Sequence, residues 1–241
     1  LNIHHLISDA WTLALICNEI IKTYSQLKQN KEIETKAIYS YIDYIKSEKE
    51  YQKSEKFNKD KQYWMERFNV IPEVANIPGS KKEDRDECNP RGRRQQYQIK
   101  EADVKKIKEY CKENRVSLYN FFMAIYAIYI GEISNLDEFV IGTPILNRTN
   151  FKEKKAAGMF VNIAPFKISM NEELDFKTFV KNISLDSMDM LKHQKYSYQC
   201  LLEELRKKDS NIPNLYNILL SYQITNAKQT EGDIPYKTEW T

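Results

Sequence analysis

HHLISDAW, His4 to Trp11, sets two adjacent histidines ahead of an acid that follows the second by four positions. The whole chain holds 3 histidines, so a side-by-side pair stands out. LNIHHLI predicts a short strand, which Ser8 and Asp9 then stop. After them Leu13, Ile16, Ile20 and Tyr24 recur at helical spacing. Asp9 is placed to be the N-cap of that helix, its carboxylate accepting the free amides of the first turn. Neighbouring residues on a strand point to opposite faces, so His4 and His5 do not close easily on one ion. The HExxH spacing that sets two histidines on one helical face is absent as well. No metal is therefore expected. Two readings remain: a strand-end pair behind a capping acid, or a histidine aimed at a substrate for proton transfer. The residues of this stretch leave that choice open.

Composition narrows the classes. The chain has 241 residues, 41% hydrophobic, enough for one large domain or two lobes with cores of their own. Lys and Arg number 37 against 34 Asp and Glu, a net charge of +3, which argues against a nucleic-acid binder and a membrane-surface protein. Mean hydropathy is −0.65. The longest apolar run, Leu118 to Ile130, falls short of the ~20 residues of a membrane span. Cys17, Cys88, Cys111 and Cys200 are scattered with no CxxC pair, which suits a reducing cytosol and a cytoplasmic protein. The start lacks a basic flank, a signal-peptide cleavage site and a methionine, so a fragment of a longer chain is expected.

Further along, a Lys- and Glu-rich helix is predicted from about Ile38 to Phe68, anchored by Tyr41, Tyr44, Ile45, Tyr63 and Trp64 and interrupted near its middle. Residues 72–95 carry prolines, glycines and charges of both signs without apolar periodicity, and read as a linker. This divides the chain into 1–71, the linker 72–95, and 96–241. The last part reads as α/β. Val104, Ile107 and Cys111 mark a helix, and Leu118 to Ile130 a buried one. EFVIGTP is expected to be a strand ending in a Gly-Thr-Pro turn, and GMFVNIAPFKI another strand. Phe176, Phe179, Val180, Ile183, Ser187, Met190 and Leu191 trace a helix face, and Leu201, Leu202 and Leu205 a shorter one. LYNILLSYQIT alternates like a strand.

HHLISDAW resembles HHxxxDG, the signature of condensation domains of nonribosomal peptide synthetases, shared with chloramphenicol-acetyltransferase-like acyltransferases. Other stretches resemble the family's motifs in the family's order. Tyr39 to Tyr44 with Tyr63-Trp64 is like YxDYxxW…YW, and FVIGTPILNR (Phe139 to Arg148) is close to VVGTPxxNR. GMFVNIAPFKI (Gly158 to Ile168) is close to GFFVNTLPLR. His193-Gln194, Tyr198 and Leu201 to Leu205 match HQxxPFxxLVEEL, and NILLSYQ (Asn217 to Gln223) is similar to FSYQN.

The resemblance implies a chloramphenicol-acetyltransferase-like condensation-domain fold of two lobes, with the N-terminal lobe truncated because its motif stands at residue 4. It makes 1–71 the end of that lobe and 96–241 an incomplete C-terminal lobe. It implies an acyltransferase that joins an acceptor amine to a donor thioester, both carried on phosphopantetheine arms of donor and acceptor peptidyl carrier proteins. An adenylation domain would lie alongside, and the domain itself would hold no cofactor. On the same footing His5 is the catalytic histidine, as general base or positioning group, and His4 bonds locally. Asp9 would pair with an arginine of the N-terminal lobe that lies upstream, leaving it here with capping alone. Gly142, Thr143, Pro144 and Asn162 would build the tunnel wall and cleft floor, while Asn147, Arg148 and His193 hold structure. Ala10 stands where the family usually has Gly, so its methyl could alter the turn or crowd the amine, and Lys195 and Ser197 also depart from the pattern. An epimerisation domain shares HHxxxD but usually continues Val-Ser-Trp, and Ala10-Trp11-Thr12 does not fit that. A silent carrier-binding relative would commonly lose the second histidine, which is present. The isolated chain is expected to be inactive.

Overall fold

Asp9 starts the first long helix as its sequence position suggests. In this computed structural model, which describes residues 3–33, 39–79, 93–171, 173–212, 214–223, 230–231 and 234–235, the Asp9 carboxylate accepts the Thr12 amide and α1 runs Ala10–Lys28. Of the predicted strand before it, Leu1 and Asn2 lie outside the described residues, and Ile3 to Ile7 form no strand. His5–Ile7 form a single 3-10 turn, with the Ile7 amide bonded to the His4 carbonyl and the Leu6 amide to His4 Nδ1. A strand needs a neighbour for its amides. Here those amides are satisfied locally, and a turn results.

The predicted helix from Ile38 to Phe68 is two helices, α2 (Tyr41–Tyr51) and α3 (Glu55–Arg67), with Ile38 itself outside the described residues. The break is chemical. Ser54 donates its hydroxyl to the Tyr51 carbonyl and accepts the Phe57 amide, ending one helix and capping the next. Beyond lie α4 (Glu101–Asn114), α5 (Leu118–Ser134), β1 (Glu138–Ile145), α6 (Phe151–Lys155), β2 (Asn162–Ser169), α7 (Phe176–Lys192) and α8 (Tyr198–Lys208). The short β3 (Thr230–Glu231) and β4 (Ile234–Pro235) pair antiparallel.

The chain forms two compact units that interleave along the sequence. One comprises residues 1–62, 144–163 and 222–241, the other 63–143 and 164–221. In the second unit α5 packs against α4 and α7, with Met123, Ala124, Ala127 and Ile130 fully buried. The predicted faces of α7 and α8 are the buried ones: Phe179, Val180, Ile183 and Met190, and Leu201, Leu202 and Leu205. Leu191, assigned to the α7 face, is exposed.

β1 and β2 form a two-stranded sheet. β1 does not turn at Gly142-Thr143-Pro144 but continues to Ile145, because the Gly142 amide donates to the Ile218 carbonyl at 2.9 Å and its carbonyl accepts the Leu220 amide at 2.9 Å. A Cβ on Gly142 would sit 2.5 Å from Tyr216 Cε2, so the close approach needs glycine. The predicted strand LYNILLSYQIT is reduced to that contact: Leu219 makes one isolated parallel bridge to Gly142, and Ile224 lies outside the described residues. β2 likewise starts at Asn162, not at Gly158. Within the linker 72–95, residues 80–92 lie outside the described residues.

In the first unit α1 is held chiefly at its start. Thr12 is its buried residue, while Ile20, Tyr24 and Leu27 are exposed. Packing of an apolar face supplies most of a helix's stability. Amides of α1 beyond Leu13 are therefore expected to exchange far faster than those of α5. Hydrogen exchange followed by mass spectrometry checks this, and protection of α1 equal to that of α5 would overturn it.

Candidate active site

Asp9 is 2% exposed and Arg148, 139 positions later, is 5% exposed, yet their side chains meet. Arg148 Nη2 donates to Oδ1 and Oδ2 of Asp9, each at 3.1 Å. The same nitrogen reaches Thr12 Oγ1 and the Gly158 carbonyl, and Nη1 donates to the carbonyls of Glu153 and Ala156. The guanidinium lies over the Phe160 ring, 3.8 Å from its centroid. The expectation that Asp9 lacks its arginine in this chain is thus corrected. FVIGTPILNR supplies it, and Asp9 both caps α1 and holds an ion pair.

Burial pushes the Asp9 carboxyl up, but the Thr12 amide, the Thr12 side chain, the Phe160 amide and the Arg148 cation together outweigh it and hold the group below the usual carboxylate range. It is a fixed anion. Its second oxygen accepts the Phe160 amide at 3.1 Å. The GMF segment is held residue by residue: Gly158 by Thr12 Oγ1 on both its amide and its carbonyl, the Met159 carbonyl by the Tyr41 hydroxyl at 2.7 Å, and Phe160 by Asp9. Tyr41 stacks on Tyr44 and both rings meet Phe160 at an angle, and burial pushes both phenols up, so they stay neutral. Arg148 Nε and Asn147 Oδ1 are buried without hydrogen-bond partners among the described residues.

On this base the His5–Ile7 turn stands in the open. It contains no buried residue, and the His5 ring is exposed. His4 differs, since its Nδ1 accepts the Leu6 amide at 3.1 Å, a bond within its own turn. Ser8 is buried and ties back to the His4 carbonyl. Ala10 is the first residue of α1, exposed and without a positive φ, so neither backbone strain nor burial attends its methyl. Asn162 opens β2 with its side-chain oxygen on the Ile163 amide at 2.9 Å. In the second unit the Thr143 hydroxyl is buried, donates to the Leu220 carbonyl and accepts the Tyr119 hydroxyl. His193 stacks on Tyr63 with ring centroids 3.9 Å apart, and its carbonyl accepts the Trp64 indole N–H. Thr12, Tyr41, Gly158 and Phe160 were not singled out as site residues by the sequence. A hydroxyl one helical turn past a capping acid was the available signal.

The family described as the condensation domain matches residues 1–240. This chain belongs to the condensation domain family. Surfactin synthase subunit 1 of Bacillus subtilis (strain 168) is 34% identical over 238 residues, covering 99% of this chain and 6% of that protein. One of the plipastatin synthase subunits of the same organism is 29% identical over 236 residues, covering 98% of this chain and 9% of that one. The first condensation domain of the CDA synthetase has a similar fold, with a TM-score of 0.76 at 15% identity over 92% of this chain and 48% of that structure. The chain thus spans about half of that solved condensation domain and less than a tenth of either synthase protein. Its fold is the chloramphenicol-acetyltransferase-like fold of condensation domains. Among the described residues no single helix is long and apolar enough to cross a membrane.

Proposed function

We propose that this condensation domain forms peptide bonds in nonribosomal peptide synthesis, with His5 at the reacting amine. The observation that carries this is an exposed imidazole rooted in a buried, ion-paired base: His5 stands free on a turn whose foot, Asp9, is locked by Arg148. Among the described residues the Leu6 amide engages the His4 ring, and no such bond engages the His5 ring. His4 is spent on its own turn, which leaves His5 to meet a substrate.

The acceptor amine attacks the donor thioester carbonyl, the C–N bond forms and the C–S bond breaks. The proton shed by the amine ends on the departing thiolate. His5 either takes that proton in passing or holds the amine by a hydrogen bond, worth ~10²–10⁴-fold as proton transfer and as much or more as orientation. Both substrates would arrive on phosphopantetheine arms of donor and acceptor carrier proteins, with an adenylation domain in the same synthetase. We place Gly142, Thr143, Pro144 and Asn162 in the wall and floor of the substrate passage. Residues 1–71 are read as the end of one lobe, 72–95 as the linker and 96–241 as the other lobe. The reaction needs no metal and belongs in the cytoplasm, and the isolated chain is expected not to turn over.

The test is single-turnover dipeptide formation between loaded carriers, with and without a chelator, in the full parent synthetase. His5→Ala is expected to lower the rate at least ~10²-fold with carrier binding retained. Activity within a few-fold of wild type would remove His5 from the chemistry. A chelator that stopped wild type would overturn the metal-free reading. An epimerisation domain would change the configuration of the donor residue and yield no dipeptide, so the same assay separates that alternative.

A further inference from the structure

We infer that Thr12 is a positioning residue for His5, an inference that rests on the condensation reading above. Its hydroxyl locks the first turn of α1 to Gly158 and thereby fixes the turn that carries the His5 ring. Thr12 is 2% exposed, and its Oγ1 donates to the Gly158 carbonyl at 2.7 Å and accepts the Gly158 amide at 2.9 Å and Arg148 Nη2 at 3.1 Å. One oxygen therefore grips both backbone polar groups of the buried residue Gly158 and the cation that pairs with Asp9.

This grip matters because the helix start is held by polar ties, the Asp9 ion pair and the Thr12 hydroxyl foremost. The apolar residues of α1 beyond its first turn are half-buried or exposed, so packing alone does not set its place in the unit. The His5–Ile7 turn contributes no buried side chain, with Leu6 and Ile7 exposed. His5 thus takes its location through Ser8 and Asp9 from the polar anchor at Asp9 and Thr12, with the Trp11 indole on the Lys154 carbonyl as a third tie. A small shift of a reacting group can cost up to ~10²-fold in rate. Replacing the hydroxyl by a methyl group leaves size and shape but removes all three bonds.

Thr12→Val, Thr12→Ser and His5→Ala are compared in the full parent synthetase. Thr12→Val is expected to keep a wild-type circular dichroism spectrum and carrier KM, while the single-turnover rate at saturating carrier falls about tenfold or more. Thr12→Ser is expected to restore the rate to within about threefold. A Thr12→Val rate within twofold of wild type, or Thr12→Ser as slow as Thr12→Val, overturns the inference. Where Thr12→Val does not fold, Thr12→Cys replaces it, and equal rates for the serine and cysteine enzymes overturn the inference in the same way. An inactive His5→Ala with a fully active Thr12→Val sinks positioning alone. An active His5→Ala sinks the role of His5 and the positioning with it.

Discussion

Arg148→Met is expected to cost the chain about 3–5 kcal/mol of stability, the range for removing one partner from a buried ion pair. An exposed pair would be worth ~1 kcal/mol or less, but here the Arg148 and Asp9 side chains are 1% and 0% exposed, so the buried case governs. Methionine keeps apolar volume above Phe160 but leaves the Asp9 charge without its cation and takes a donor from the buried Ala156 carbonyl. Urea unfolding followed by circular dichroism checks the size, and a loss under about 1 kcal/mol would show that water replaces the arginine. Asp9→Asn combined with Arg148→Met should lose less than the sum of the single changes, because the unpaired charges vanish together.

Asp9, held by the Thr12 and Phe160 hydrogen bonds and by Arg148, also sets an acid limb. The folded Asp9 carboxyl titrates below its ordinary value of 3.8, so its contribution is complete above that value and is lost as pH falls through the lower folded value. Wild-type stability should show this loss below about pH 4. In Arg148→Met the Asp9 part of the limb should be shallower, since the cation that favours the carboxylate is gone.

Gly158→Val is expected to cost about 3 kcal/mol, the upper end for overpacking a filled site. The φ of Gly158 is not positive, so the cause is space and not backbone strain. A Cβ there would enter the Tyr41 ring, with Cε2 at 2.5 Å and Cγ at 2.6 Å. Tyr41 has no easy retreat. Its hydroxyl is bound to the Met159 carbonyl, and its ring stacks on Tyr44 and meets the edge of Phe160. Gly158→Ala should cost about half as much in the same unfolding measurement, and Tyr41→Leu should recover part of it. A neutral Gly158→Ala would mean that the ring moves freely.

The long helices could be read from the chain because their information is local. α5 is apolar nearly all round, α7 repeats Phe179, Val180, Ile183 and Met190 on one face, and Asp9 ends a run just where a helix needs an acceptor for its free amides. The family was legible for a related reason: six short motifs in a fixed order carry information that no single one holds. The strands were read less well. LNIHHLI and LYNILLSYQIT have strand-like residues, but a strand exists only where a neighbour offers a ladder. The first closed into a turn on His4, and the second kept one bridge to Gly142. The polar anchor beneath the His5–Ile7 turn was least legible. The sequence could name Asp9 as a cap but not Arg148 as its partner, nor Thr12 as the hydroxyl that seals Gly158 to both. Those groups stand more than 130 positions apart, and no period or spacing couples them. The fold alone decides their meeting, because buried charges and buried amides must find partners wherever the packed chain brings them.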